Sequence, residues 1–238
     1  MLADQAHQLA SAGALDSAIH LPGEWLNELI AFIASALPAW RDDPARDNVD
    51  GETRLTAQLC ARLNSLSRHS HGWDFLQFRR EEPDEIAGNR SIDLAVAPSG
   101  SVIWIEGHEY TEYRTLLPIE CKRLPTPNGK DRDEREYLFS RFSSTGGVQR
   151  FKSGHHGRAS FRAAMIGYVQ SGDLADWKSR LDDWIDGFVS DAMEGWTEGD
   201  KLRIVAIETS TGVAHLTSSH ERDREMEPIT LDHLWLRM

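Results

Sequence analysis

The sequence predicts a mixed α/β or α+β domain, in which helices flank a mixed central β-sheet. In several segments apolar residues recur three and four positions apart, which is the spacing of an amphipathic helix. In other segments short apolar runs end at glycine or proline turns, as strands do. The order along the chain is helices, three strands, helices and late strands, and this order favours a mixed sheet with helices packed on it.

The helices are predicted from the spacing of their apolar residues. Glu24–Trp40 has one apolar face, and Pro38 and the charged run after it end the pattern. A second helix follows Asp50, which we take as its N-cap, and continues to Leu66. Leu174–Val189 is the most regular amphipathic segment. Two further helices are expected, at Asp131–Phe142 and at Phe161–Val169.

The strands are predicted from short apolar runs and the turns between them. Pro98-Ser99-Gly100 is a turn between the second and third runs. The expected strands are Trp73–Phe78, Ser91–Ala97, Ser101–Glu106, Leu116–Arg123, Leu202–Glu208, Val213–Thr217 and Ile229–Leu236. We expect residues 1–48 to form a helical extension and residues 49–238 to form the main domain, the two together being one compact unit.

Length and composition restrict the class of protein. The chain has 238 residues, enough for one sizeable domain with its own core. The longest apolar run, Ile30–Leu37, is too short to cross a bilayer, and the first twenty residues lack the lysine and arginine of a signal peptide. We therefore expect a cytoplasmic protein with no membrane partner. Cys60 and Cys121 form no CxxC pair, so free thiols and no structural zinc are expected.

The charge of the chain is acidic overall but uneven. Lysine and arginine number 26 and aspartate and glutamate 38, which gives a net charge of −12. Such a chain is not suited to bind nucleic acid non-specifically by itself. Between Tyr137 and Gly172, however, there is no acidic residue. This basic segment predicts a local phosphate-binding surface, and the acidic remainder predicts that a partner subunit or a homodimer brings the chain to nucleic acid.

Three charged residues interrupt apolar strands and form the candidate catalytic centre. Asp93 lies within Ile92–Val96, and Glu120 and Lys122 lie in a later strand. Because side chains alternate along a strand, Glu120 and Lys122 share one face, which Asp93 joins if the two strands are neighbours. Two carboxylates beside an ammonium suit metal-assisted hydrolysis of a phosphodiester. The alternative is a solvated strand that carries an ordinary glutamate–lysine pair.

Asp93 followed, after a hairpin, by Glu120-Cys121-Lys122 resembles the D-(x)n-ExK signature of the PD-(D/E)XK, restriction-endonuclease-like nuclease superfamily. The resemblance implies an α-β-β-β-α-β core and a bound Mg²⁺, with Mn²⁺ as a substitute. It implies that Asp93, Glu120 and the Cys121 carbonyl are metal ligands, that Lys122 is the catalytic lysine and that Glu52 is an accessory acidic residue. One departure is that Ile92 stands where the signature has proline.

The glycine-rich basic segment 146–158 is the candidate nucleic-acid contact. Its glycines, basic groups and amide can hold phosphate, and the predicted contacts are Gln149, Arg150, Lys152 and Arg158. The alternative is a solvated loop. Because His155 and His156 are adjacent and lack an HExxH frame, no zinc site is expected there.

The sequence thus predicts a metal-dependent endonuclease that cuts DNA, as the nuclease component of a restriction or antiviral defence system. Two alternatives remain open at this stage. The first is an RNA-cutting effector of the toxin type, because the chemistry at the phosphate is the same. The second is a nuclease-like domain that binds DNA or a partner protein without cutting.

Overall fold

A seven-stranded mixed sheet forms the centre of the structure, a computed structural model that describes residues 24–83, 91–105, 107–142, 146–222 and 225–238. The helices are α1 (Glu24–Arg41), α2 (Glu52–His69), α3 (Gly147–Lys152) and α4 (Leu174–Ser190). The strands are β1 (Leu76–Pro83), β2 (Ser91–Pro98), β3 (Ile103–Ile105), β4 (His108–Tyr110), β5 (Leu117–Leu124), β6 (Arg162–Val169), β7 (Arg203–Glu208), β8 (Val213–His220) and β9 (Ile229–Arg237). The predicted mixed sheet flanked by helices is therefore confirmed.

The strand order in the large sheet is β1-β2-β5-β6-β9-β8-β7. The three central strands β5, β6 and β9 are parallel to one another, whereas the pairs at both ends of the sheet are antiparallel. Strands β3 and β4 form a separate two-stranded hairpin inserted between β2 and β5. The predicted strand Ser101–Glu106 is thus shorter in the structure, and Glu106 lies outside the described residues.

Two hydrophobic layers enclose the sheet. Side chains of β6 alternate between them, because successive side chains of a strand point to opposite faces. Ile166 and Tyr168 pack under α1 and α2, whereas Met165 and Val169 pack under α3 and α4. None of the helices described here combines the length and apolar character needed to span a membrane.

Helix α1 packs on the same core as the rest of the domain. Its buried face, which includes Leu29, Ile33 and Leu37, belongs to the layer that α2 also covers. The guanidinium of Arg41 donates to the carbonyl oxygens of Thr211 and Arg237 at 2.8 and 2.9 Å, which fixes the end of α1 to the sheet. The described part of the expected N-terminal extension is therefore integral to the core, and residues 1–23 lie outside the described residues.

Three local predictions were wrong. The segment Phe161–Val169 is not helical, because β6 lies between β5 and β9 and is buried on both faces. A short apolar run of this kind fits a buried strand as well as a helix. The segment Asp131–Phe142 forms turns, in which the carboxylate of Asp133 accepts from the backbone of Arg135 and Arg141 and so competes with helical hydrogen bonds. The N-cap of α2 is Gly51 rather than Asp50.

Replacing Gly167 with alanine should destabilise the sheet. A Cβ atom at this position would lie 2.5 Å from Cδ1 of Trp235, which is fully buried in β9. We expect the free energy of unfolding to fall by about 1–3 kcal/mol, as for other overpacked cores. Gly187→Ala on α4 is the matched control, because its Cβ would meet no atom within 4 Å. Urea unfolding of both variants measures the difference, and an equal stability of the two would contradict this account.

Candidate active site

The candidate site lies where β2 and β5 diverge. Their antiparallel register runs through Val96–Leu117 and Ala95–Pro118 to Leu94–Ile119. Beyond that pair, the carboxylate of Asp93 accepts the backbone N–H of Cys121 at 2.8 Å. The Asp93 carboxylate thus replaces the backbone carbonyl that would accept this N–H in a continuing strand pair. Polar atoms line the opening between the two strands.

Strand alternation brings the three predicted catalytic residues together. Leu94 and Cys121 point into the layer under α1 and α2. Asp93, Glu120 and Lys122 lie on the other side of their strands, and the Lys122 Nζ is 3.6 Å from Asp93 Oδ2 and 3.5 Å from Glu120 Oε2. These three side chains therefore converge, because the period of two fixes their face in each strand and β2 and β5 are neighbours.

The ammonium of Lys122 is surrounded by oxygen atoms. Besides the two carboxylates, its Nζ donates to the carbonyl oxygen of Cys121 at 2.9 Å and to Glu52 Oε1 at 3.3 Å. The other oxygen of Glu52, at the start of α2, accepts the backbone N–H of Arg123 at 3.2 Å. The four groups around this cation are those that the sequence predicted as metal ligands and accessory acid.

Glu120 is completely buried, with 0 % of its surface exposed, and basic groups hold both of its oxygens. Arg150 of α3 donates to Oε2 at 3.0 Å. The Nδ1 of His156 lies 2.6 Å from Oε1. Burial alone would raise the pKa of Glu120, but Lys122, His156 and Arg150 together lower it to about 2.

The pKa values of Asp93 and Lys122 are both raised, but for different reasons. Burial raises the pKa of Asp93 to about 6, and the neighbouring charge of Glu120 adds to this rise. Burial by itself lowers the pKa of Lys122, yet the carboxylates of Asp93, Glu120 and Glu52 raise it above its ordinary value. Lys122 therefore carries its proton at neutral pH and acts as a fixed positive charge in this arrangement.

The predicted nucleic-acid contacts occupy different environments. Arg150 belongs to the site itself through Glu120. Gln149 accepts the backbone N–H of Gly146 at 3.3 Å and so caps α3. Arg158 is exposed and lies 3.5 Å from Glu225. Lys152 is a correction to the sequence analysis, because its ammonium is buried in a pair with Asp200 and is not available to a phosphate.

A cleft of about 250 Å³ opens onto the converging charges. It is lined by Glu52, Asp93, Lys122, Arg132, Glu136, Ser140, Gly146 and Arg150. Arg132 also lines a larger neighbouring cavity of about 520 Å³, so the two spaces adjoin. Arg132, Ser140 and His156 were not predicted as residues of the site, and the signal for His156 in the sequence was its place in the acid-free basic segment.

The donor set suits a hard divalent cation. Carboxylate and carbonyl oxygens are the ligands that Mg²⁺ prefers, and here they already enclose one positive charge, the ammonium of Lys122. Within the described ranges no three acidic, histidine or cysteine side chains stand at metal-coordination spacing. The amine lies between the carboxylates, so a metal would have to replace the ammonium at their centre.

Comparison of the chain with protein-family models, with curated proteins and with solved structures gives no match.

Proposed function

We propose that this chain is a metal-dependent nuclease of the PD-(D/E)XK kind that hydrolyses phosphodiester bonds of DNA. The observation that carries the proposal is the convergence of four oxygen-bearing groups on the ammonium of Lys122. Three are the carboxylates of Glu52, Asp93 and Glu120, and the fourth is the carbonyl of Cys121. One fully buried and two partly buried acids around one lysine are costly to desolvate and need a function that justifies them.

The order of elements supports the same proposal. Helix α2 is followed by β1, β2 and β5, then by α3 and β6. With the β3–β4 hairpin treated as an insertion, this succession supports the proposal of an α-β-β-β-α-β core, which the resemblance implies. The aspartate stands in the second of these strands and the glutamate–lysine pair in the third, as the D-(x)n-ExK signature requires.

Glu52, Asp93, Glu120 and the Cys121 carbonyl would hold the Mg²⁺. When bound, the metal lowers the pKa of a water and stabilises negative charge on the phosphate. Lys122 would then supply a positive charge beside the reacting phosphate. Arg150 and His156 hold the buried carboxylate of Glu120 in place, and Arg132 lines the cleft through which a phosphate backbone would approach.

The charge balance supports recruitment by a partner. The net charge is −12, and several arginines near the cleft are paired with acids, among them Arg132 with Glu136 at 2.8 Å and Arg135 with Asp133 at 3.0 Å. We therefore propose that the chain works within a restriction or defence assembly, or as a homodimer, rather than by strong DNA binding of its own. Tight DNA binding by the purified chain at physiological salt would remove the reason for this part of the proposal.

The proposal is tested by incubating the purified chain with labelled DNA and with labelled RNA of the same sequence. Each incubation contains Mg²⁺, Mn²⁺ or a chelator. We expect DNA cleavage that the chelator abolishes. Lys122→Met should slow cleavage by about 10²- to 10³-fold, because it removes the positive charge beside the phosphate. Lys178→Met is the matched control, since Lys178 pairs with Asp182 on α4, outside the residues that line the cleft.

The outcomes separate the alternatives. Metal-dependent cleavage of RNA alone would replace the DNA nuclease with an RNA-cutting effector. Failure of the wild-type chain to cut either substrate with any metal would favour a nuclease-like domain that binds without catalysis. Cleavage that survives Lys122→Met unchanged would show that another site carries the activity.

A further inference from the structure

Strand β7 is the terminal strand of the large sheet, and one of its edges faces away from β8. Its side chains are exposed on both faces of the sheet, apart from Ile207, which is partly buried against the core under α4. Ile204 and Val205 are 54 % and 55 % exposed, which places them among the most exposed large aliphatic residues of the described ranges. An apolar edge of this kind is a template for pairing with another strand.

The centre of β7 has few of the features that protect edge strands. Edges of native sheets are commonly blunted by lysines, by proline, by a bulge or by a covering segment. Here charge occurs only at the two ends, at Arg203 and Glu208, and the four residues between them are apolar. A bulge between Ile204 and Ala206 bends the strand but leaves both of its ends paired with β8.

The strand is complementary to itself in the antiparallel direction. If two copies pair about a two-fold axis through Ala206, with the bulged Val205 outside the register, Arg203 of each copy lies opposite Glu208 of the other. Arg203 and Glu208 share one face of the sheet, because their partners in β8, Thr217 and Val213, are four residues apart. In the same register, Ile204 lies opposite Ile207. Opposite charges and apolar pairs at facing positions both stabilise antiparallel strands. Within the described residues neither Arg203 nor Glu208 has an ion-pair partner in its own chain. Glu208 Oε2 accepts a hydrogen bond from Thr211 Oγ1 at 2.9 Å, which leaves its other carboxylate oxygen for this exchange.

We propose that β7 is a homodimer interface, at which the β7 strands of two copies pair antiparallel and join the two sheets into one. Such a contact is isologous, because each copy presents the same surface to the other. The partner is a second copy rather than an unrelated strand, because the charges at the two ends of β7 match each other. The interface is independent of the proposed nuclease activity, since β6, β9 and β8 separate β7 from the strand that carries Glu120 and Lys122.

Charge reversal at the two ends of β7 tests the interface. In Arg203→Glu, and equally in Glu208→Arg, both facing pairs of a homodimer become like-charged. We expect the dissociation constant of the dimer to rise by about tenfold or more in each single variant. In the double variant R203E/E208R, opposite charges face each other again and dimerisation should return.

A mixture of the two single variants gives the sharpest readout. Arg203→Glu and Glu208→Arg should form a heterodimer with each other more readily than either forms a homodimer, because both facing pairs are then of opposite charge. Sedimentation equilibrium over a range of concentrations measures the dissociation constant of the wild type, the two single variants, the double variant and the mixture. Arg68→Glu, an exposed change of the same sign on α2, is the control and should leave the dissociation constant unchanged.

Two results would overturn the proposal. One is a wild-type chain that stays monomeric at every concentration up to the millimolar range. The other is a dimer whose dissociation constant is unaffected by both single variants, since the contact would then lie elsewhere. Far-ultraviolet circular dichroism of each variant distinguishes dissociation of a folded chain from unfolding. The dissociation constant is measured without a cleavage assay, so the test of the interface and the test of the nuclease proposal can fail independently.

Discussion

Asparagine in place of Asp93 should abolish metal-dependent cleavage and leave the fold intact. The substitution removes one of three carboxylate charges around Lys122, so the site should bind Mg²⁺ poorly. It keeps an oxygen that can accept the N–H of Cys121, which Asp93 now accepts at 2.8 Å. Because burial and Glu120 raise the pKa of Asp93 to about 6, neutralising this carboxylate should not destabilise the metal-free fold. We expect a rate at least about 10²-fold lower.

Initial cleavage rates and Mg²⁺ titration calorimetry measure the two effects of Asp93→Asn. Asp176→Asn, an exposed change of the same kind on α4, is the control and should match wild type. A variant that lost cleavage but kept full Mg²⁺ affinity would show that Asp93 acts on the substrate rather than on the metal. Wild-type cleavage by Asp93→Asn would remove this residue from the proposed centre.

Among substitutions of the buried polar residues, we expect Asp200→Asn to lower the free energy of unfolding the most. Asp200 is buried and pairs with the ammonium of Lys152, which is also buried. Asp200 also accepts a hydrogen bond from His220 Nδ1 at 2.5 Å. The hydroxyl of Ser218 lies 2.7 Å from Nε2 of His220 and 2.7 Å from Nε2 of His233, so a chain of buried hydrogen bonds begins at Asp200. Removing one member of a buried ion pair leaves an uncompensated charge and costs about 3–5 kcal/mol.

The stability that Asp200 provides should depend on pH. Burial alone would raise its pKa, but hydrogen bonds from His220 and Lys152 lower it to about 2 from an ordinary value of 3.8. A carboxylate whose pKa is lowered by folding stabilises the fold above its unfolded pKa and loses that contribution as the pH falls towards its folded pKa. We therefore expect the difference between wild type and Asp200→Asn to be full at pH 5 and above and to shrink between about pH 4 and pH 2.

Urea unfolding of Asp200→Asn at a series of pH values tests both statements. Asp186→Asn is the control, because Asp186 pairs with Lys201 at 2.5 Å but on the exposed surface. Asp186→Asn should lower the free energy of unfolding by less than about 1 kcal/mol. Equal losses for the two variants would contradict the view that burial sets the cost. Since Lys152 belongs to α3, Asp200→Asn should also loosen the helix that directs Arg150 at Glu120.

The elements with regular patterns were predictable because their signals are local. The amphipathic spacing of α1, α2 and α4 depends only on the helical repeat, and each lies within a few residues of its expected bounds. Strand β6 was not predictable, because its apolar run carries no alternation once both faces are buried between parallel neighbours. The turns at residues 131–142 depend on the reach of the Asp133 side chain, which helical propensity does not include.

The sequence by itself determined that Glu120 and Lys122 share a face and that Asp93 interrupts another apolar strand, because side-chain alternation is a property of each strand alone. That these two strands are neighbours was decided by the tertiary structure. Only the tertiary structure decided which other groups meet them. Arg150 and His156 contact Glu120, whereas Lys152 of the same basic segment turns to Asp200 on the other side of α3. These contacts join residues far apart in the chain, so no short-range pattern encodes them. The free edge of β7 likewise follows from the order of strands in the sheet.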